Sequence, residues 1–181
     1  MLKFEGTPLL HSSRLLLRPY APGDAEAMFE NWASDLRVTR FLTWTPHESP
    51  AFTRQVLDAW VKGYQNDDYL HWGITLGGRL IGDIAVVSYS ERSESAELGY
   101  CLSHDAWGKG VMTEAVGSVT GYLFDIVGFH RVVIRHAVKN PASGRVAEKC
   151  GFRCEGVARE AFKAADGQFL DIAAWAKLSR D

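Results

Sequence analysis

The stretch Glu97-Leu-Gly-Tyr-Cys-Leu-Ser-His-Asp-Ala-Trp-Gly-Lys-Gly-Val-Met-Thr-Glu-Ala115 constrains the fold more than any other. Glu97 to Ser103 reads as a strand. Val111, Ala115, Val119, Tyr122 and Ile126 then fall on one stripe, which predicts a long helix over 111–127 that begins at Gly108-Lys109-Gly110. Two glycines leave the backbone bare where this helix starts. Consecutive N–H groups can therefore point outward at an anion, at the positive end of the helix dipole. Lys109 would add a mobile cation, and a Cβ at position 110 would hold the anion off the donors. The same glycines also suit a plain connecting turn. Nucleoside triphosphate and NAD readings are disfavoured: no Gly-x-x-x-x-Gly-Lys-Ser/Thr loop occurs, and a dinucleotide fingerprint needs a third glycine where position 113 is Thr.

Around this segment the patterning gives the element order βααβββαβαββ. Arg14 to Tyr20 is a short apolar run that ends at Pro19, and Ala25, Met28, Phe29 and Trp32 give helical spacing over 24–33. Phe52, Val56, Ala59, Trp60 and Tyr64 mark one face of a second helix. Residues 69–76 and 79–89 read as a hairpin around Gly77-Gly78, which can supply the positive φ angles of a two-residue turn. A strand at 131–138 follows the long helix. Asn140-Pro141 then places a good N-cap before a proline at the first helical position, and Gly151 sits where a left-handed glycine would end that helix. Residues 152–161 and 168–178 form two further strands around the turn signal Asp166-Gly167.

Composition narrows the class. A chain of 181 residues, 46% hydrophobic and 23% charged, is expected to form a single globular domain over residues 1–181. A net charge of -2, without interleaved basic and aromatic residues, argues against nucleic acid as the partner. No apolar run reaches the roughly 20 residues of a membrane-spanning helix, so no membrane insertion is expected. Three cysteines, and no signal-peptide pattern at Met1-Leu2-Lys3-Phe4-Glu5, point to the cytoplasm. Cys150 and Cys154 lack a second Cys/His pair at ligand spacing, and His130 and His136 read as satisfied histidines, so no metal is expected.

Trp107-Gly108-Lys109-Gly110 with Thr113-Glu114-Ala115 resembles the acetyl-coenzyme A signature of the GCN5-related N-acetyltransferases, and within them the RimJ/RimL branch. Asn140-Pro-Ala-Ser143-Gly-Arg-Val146-Ala-Glu-Lys149-Cys-Gly151-Phe152 is similar to a second motif of that branch, in the correct order, and the likeness extends weakly to Ser13-Arg-Leu-Leu-Leu-Arg18 and the C-terminal strands. The resemblance implies an α/β (α+β) fold, with a mixed, splayed central sheet flanked by helices. It implies acetyl-coenzyme A as cosubstrate, its pyrophosphate on the turn amides from Trp107 through Gly108, Lys109, Gly110, Val111 and Met112 to Thr113. Its pantetheine arm would lie along a bulged strand at Tyr100, Cys101 and Leu102, with Asn140 and Ser143 at the thiol end. The Cys101 N–H is the expected donor to the thioester carbonyl, a kind of contact whose loss elsewhere costs about 3–4 kcal/mol of barrier. The Cys101 thiol reads as a small buried hydrophobe, because the family transfers the acetyl group directly.

The resemblance also makes Glu97 the expected base, set against a plain surface glutamate. Two departures stand out. The tyrosine acid that many superfamily members carry four residues before the helix-ending glycine is here Ala147, which leaves Ser143 or water as the acid. Asp105 stands where the broader motif prefers Gln or Arg, which removes one positive contact to the phosphates. Phe41, Trp44 and Tyr89 are the expected acceptor-side residues, with simple core packing as the competing reading. For the acceptor itself, an α-amine near 7.7–8.0 is roughly a tenth neutral at pH 7, against about one part in two thousand for lysine, so a weak base suits an N-terminal amine best. The resemblance to the RimJ/RimL branch implies a ribosomal-protein-like N-terminus as that acceptor, with a polyamine or aminoglycoside as the alternative. A noncatalytic acyl-coenzyme A sensor is the rival from another class. Exposed strand edges leave room for a homodimer that no motif demands.

Overall fold

The computed structural model describes residues 1–164 and 167–181. Eight strands are formed: β1 (Leu10–His11), β2 (Leu15–Arg18), β3 (His71–Leu76), β4 (Arg79–Ser90), β5 (Ser95–Leu102), β6 (Arg131–Ala137), β7 (Arg153–Lys163) and β8 (Phe169–Leu178). The helices are α1 (Ala25–Met28), α2 (Leu36–Thr39), α3 (Pro50–Gly63), α4 (Val111–Tyr122) and α5 (Pro141–Lys149); wider π turns extend α1 to Ala33 and α4 to Val127. The expected order βααβββαβαββ is present, with β1 and α2 as additions. Neither carries a periodic signal, since β1 has two residues and α2 a single turn.

One sheet holds all the strands, in the order β1-β2-β3-β4-β5-β6-β8-β7. Gly77 and Gly78 both take positive φ, 58° and 83°, and close the tight β3–β4 turn. The helix end at Gly151 also forms as the sequence implies. Phe152 N–H reaches Ala147 O, Gly151 N–H reaches Glu148 O, and Gly151 has φ 80°, the paired bonds of a Schellman cap. Of the Asp166-Gly167 turn signal, Asp166 lies outside the described residues.

Apolar side chains cover both faces of the sheet. Against α4 lie Leu17, Trp72, Ile74, Ile84, Leu98 and Ile134, with Val116, Val119 and Leu123 from the helix. Tyr20, Met28, Trp32, Leu57, Leu80 and Cys101 form a separate cluster with the N-terminal helices on the other face. A third, smaller cluster joins Ala137, Ala164 and Leu170 to Phe41, which brings the loop after α2 to the β7–β8 hairpin.

The feature that creates a site is the single parallel joint. β5 and β6 pair only from Ser95↔Arg131 to Leu98↔Ile134. Beyond that, β5 runs on to Leu102 against β4 alone, and β6 runs on to Ala137 against β8 alone. The sheet therefore splays, and one edge of β5 over 99–102 lies open within it.

Candidate active site

The open edge leads directly into the glycine turn. After a short 3₁₀ turn at His104–Ala106, Gly108 and Gly110 take φ of 72° and 75°, values a side chain would oppose, and α4 starts at Val111. The side chains of Val111 and Met112 are buried, while the N–H groups of the first helical turn precede any helical acceptor. These donors and the dipole make an anion cradle. The expected positive contact at position 105 is absent in the structure too: Asp105 accepts from Arg79 and from Ser103 Oγ at 2.7 Å, and is held below the usual carboxylate range, mainly by Arg79. The indole N–H of Trp107 donates to Leu102 O at 2.7 Å and ties the turn to the end of β5.

A clasp from the opposite end of the chain braces the turn. Glu114 accepts from Ser12 Oγ (2.7 Å), Ser13 Oγ (3.0 Å), Arg14 N (2.8 Å) and Arg14 Nε (2.7 Å). Burial acts to raise the Glu114 carboxyl, yet these donors outweigh it and hold the group at about 2. Arg14 Nη1 also donates to Lys109 O at 3.2 Å. Sequence reasoning passed over Arg14 and this use of Glu114, although both residues stand inside the segments that carried the resemblance.

Along β5 the backbone geometry corrects one expectation. Ser103 N–H donates to Ile81 O at 2.8 Å, and antiparallel pairs alternate, so Cys101, in register with Asp83 two residues earlier, also turns its N–H toward β4. The Cys101 N–H thus faces the ladder, and the backbone N–H groups of Tyr100 and Leu102 face the gap. The bulge is also displaced from where the resemblance put it: the extra residues are Ile81 and Val87, both in β4. The Cys101 thiol is buried, and burial followed by the charge of Asp83 pushes it well up, which suits packing rather than nucleophilic attack.

On the α4 face, Tyr100 crosses the gap to α5. Its hydroxyl lies 2.8 Å from Ser143 Oγ, and burial pushes the phenol up to about 12. A tyrosine therefore does approach Ser143, from β5 instead of α5. Asn140 precedes α5, but its side chain makes no capping hydrogen bond. The capping explanation for this residue is removed, and its amide is left for other work.

On the other face, Glu97 is bound by Arg135 through two contacts, one of them Arg135 Nε to Glu97 Oε1 at 2.9 Å. It lines an open cavity of about 310 Å³ together with Ser88, Tyr89, Ser95, Val133 and Arg135. Tyr89 also donates to Asp68 at 2.7 Å. The three expected acceptor aromatics do not converge. Phe41 lines a small separate cleft with Arg40, Lys139 and Leu170, and Trp44 packs with His47 beside the cluster under the N-terminal helices. His136 is satisfied, accepting from Trp175 Nε1 at 3.0 Å. Among the described residues, no cluster of three or more His, Cys, Asp or Glu could hold a metal, and no helix is long and apolar enough to cross a membrane.

This arrangement has counterparts. An uncharacterised N-acetyltransferase of Bacillus subtilis, YoaA, is 32% identical over 155 residues, which cover 84% of this chain and 87% of that protein. The ribosomal-protein-serine acetyltransferase of Escherichia coli is 32% identical over 82 residues, 45% of this chain and 46% of that one. In fold, the chain matches RimL, a ribosomal L7/L12 α-N-protein acetyltransferase solved with coenzyme A, at a TM-score of 0.85 and 21% identity, over 94% of this chain and 98% of that one. The model of the acetyltransferase (GNAT) domain matches residues 14–153, which take in Arg14 and Glu114 of the clasp, the turn and the capped helix, and the chain belongs to that family.

Proposed function

We propose that the protein transfers an acetyl group from acetyl-coenzyme A directly to a primary amine, with a protein N-terminal α-amine as the acceptor. The observation that carries this reading is the open edge of β5, which runs from the end of pairing at Leu98 to the anion cradle at Gly108–Gly110. Four strand residues span about 13 Å, a length suited to an extended arm between a phosphate site and a reacting centre. In this reading the amides from Trp107 to Thr113 hold the pyrophosphate. The outward backbone groups of Tyr100 and Leu102 pair with pantetheine, and the Tyr100 N–H polarises the thioester carbonyl.

The amine nitrogen bonds to the carbonyl carbon as the C–S bond breaks, both substrates being bound together. Glu97, through water, takes the proton released by the amine, and Ser143 gives one to the departing sulfur. The Tyr100 phenol, held near 12, is still a stronger acid than an aliphatic hydroxyl and lies 2.8 Å from it, so Tyr100 replaces the proton that Ser143 passes on. An α-amine is favoured because about a tenth of it is already neutral at pH 7, which suits a base tied up by Arg135. Cytoplasmic ribosomal proteins, like the substrate named for the Escherichia coli relative, fit this chemistry.

The test is thiol release from acetyl-coenzyme A across N-terminal peptides, lysine peptides, spermidine and aminoglycosides, with calorimetric binding of coenzyme A alongside. Turnover on N-terminal peptides is the expected result. Turnover on spermidine or aminoglycosides alone would overturn the acceptor assignment. Tight binding with no turnover anywhere would favour an acyl-coenzyme A sensor.

A further inference from the structure

Asp105 stands where the phosphate site should have gained a cation, and its own charge is taken up by Arg79. The cradle would then offer only amides and the mobile Lys109, with Glu114 adding a partly buried negative charge one turn into the helix. The structure brings a guanidinium to the same place from elsewhere. Arg14, in the loop between β1 and β2, lies with Nη2 2.7 Å from Glu114 Oε2 and Nη1 3.2 Å from Lys109 O. A Cβ built on Gly110 would lie 3.6 Å from Arg14 Nη2, which sets the guanidinium beside the bare backbone of the cradle. Three of its five N–H donors are engaged among the described residues, and the side chain is 46% exposed. Unengaged donors at the rim of an anion cradle are suited to a phosphate, which a planar fork grips in two places.

We infer that Arg14 is a phosphate ligand of the donor site and supplies, from the β1–β2 loop, the positive charge that position 105 lacks. The inference rests on the donor-site reading above. It differs from a bracing role, in which Arg14 would serve only to neutralise Glu114 and hold the turn.

Calorimetry with coenzyme A, and with pantetheine, which has no phosphate, separates these roles. For Arg14→Gln the expected result is a loss of coenzyme A affinity of about tenfold or more, a shallower fall of affinity with salt, and unchanged pantetheine binding. The double variant Arg14→Gln/Glu114→Gln, which removes both charges, is expected to stay weak. Equal losses for coenzyme A and pantetheine, an unchanged salt dependence, or recovery in the double variant would each overturn the inference and leave the donor site standing. Failure of the wild-type protein to bind coenzyme A would overturn the donor site and this inference together.

Discussion

The two flanks of the splayed gap are built from different materials. The cradle at Gly108–Gly110 is backbone: two left-handed glycines and the first turn of a helix, within one short run of sequence. The cavity beside Glu97 is side chain: Ser88 and Tyr89 from β4, Ser95 and Glu97 from β5, Val133 and Arg135 from β6. A backbone site tolerates almost any side chain around it but not at its glycines, whereas a side-chain site can be rewritten residue by residue.

The largest effect is expected at Gly110. A valine there must adopt φ near 75° with a branched Cβ facing Arg14, so coenzyme A affinity measured by calorimetry should fall about a hundredfold or more. Survival of binding would break the claim that the cradle is backbone. Next come Ser143→Ala and Glu97→Gln, compared by steady-state kinetics. Each should lower kcat by about ten- to a hundredfold while coenzyme A affinity stays within about threefold. A Glu97→Gln variant with normal turnover would hand proton removal to water and reduce the cavity's glutamate to a partner of Arg135.

A smaller effect concerns acid stability. Glu114 sits at about 2 in the fold, below its ordinary 4.5, so its contribution is complete above about 4.5 and is lost as pH falls toward 2. Thermal midpoints of Glu114→Gln and wild type should therefore converge between pH 4.5 and 2; parallel curves would place the clasp outside the stability of the fold. Smallest is Asn140→Ala. A genuine N-cap loses about 1 kcal/mol on such a change. With no capping bond to lose, stability by thermal melting should move by less than about 0.5 kcal/mol, while coenzyme A affinity drops a few-fold. A full capping loss would return Asn140 to a purely structural role.

The same division explains what the sequence disclosed. The helix stripe from Val111 to Tyr122, the Gly77-Gly78 turn and the Gly151 cap are local, and each formed where its residues said it would; Ile126, expected as the last member of that stripe, is exposed because the closing π turn shifts the buried positions to Leu123 and Val127. So did the cradle, because its chemistry needs only neighbours in the chain. Which N–H of β5 faces the gap depends on pairing with β4, and the bulges at Ile81 and Val87 carry no signal in the run Leu-Ile-Gly-Asp-Ile-Ala-Val-Val. Residues 14 and 114 meet across 100 positions, and Tyr100 meets Ser143 across 43, so neither contact leaves a local trace. Phe41 and Trp44 stand three residues apart, yet the loop between them turns one toward the β7–β8 hairpin and the other toward the N-terminal helices.

The single parallel joint also bears on how the molecule comes apart. Four residue pairs, Ser95↔Arg131 to Leu98↔Ile134, are the only ladder between strands β1–β5 and strands β6, β8 and β7 among the described residues. Each half keeps its own continuous antiparallel ladder, and this seam, the packing of α4 and α5, the Arg135–Glu97 pair and the contact of Phe41 with the β7–β8 hairpin are what make them melt together. Amide exchange should find the seam opening at lower free energy than the ladders on either side, as two cooperative units sharing a narrow boundary. A ligand that lies in the gap and touches both halves would then do for the two units what hydrogen bonds no longer do beyond Leu98, and couple their unfolding into one event.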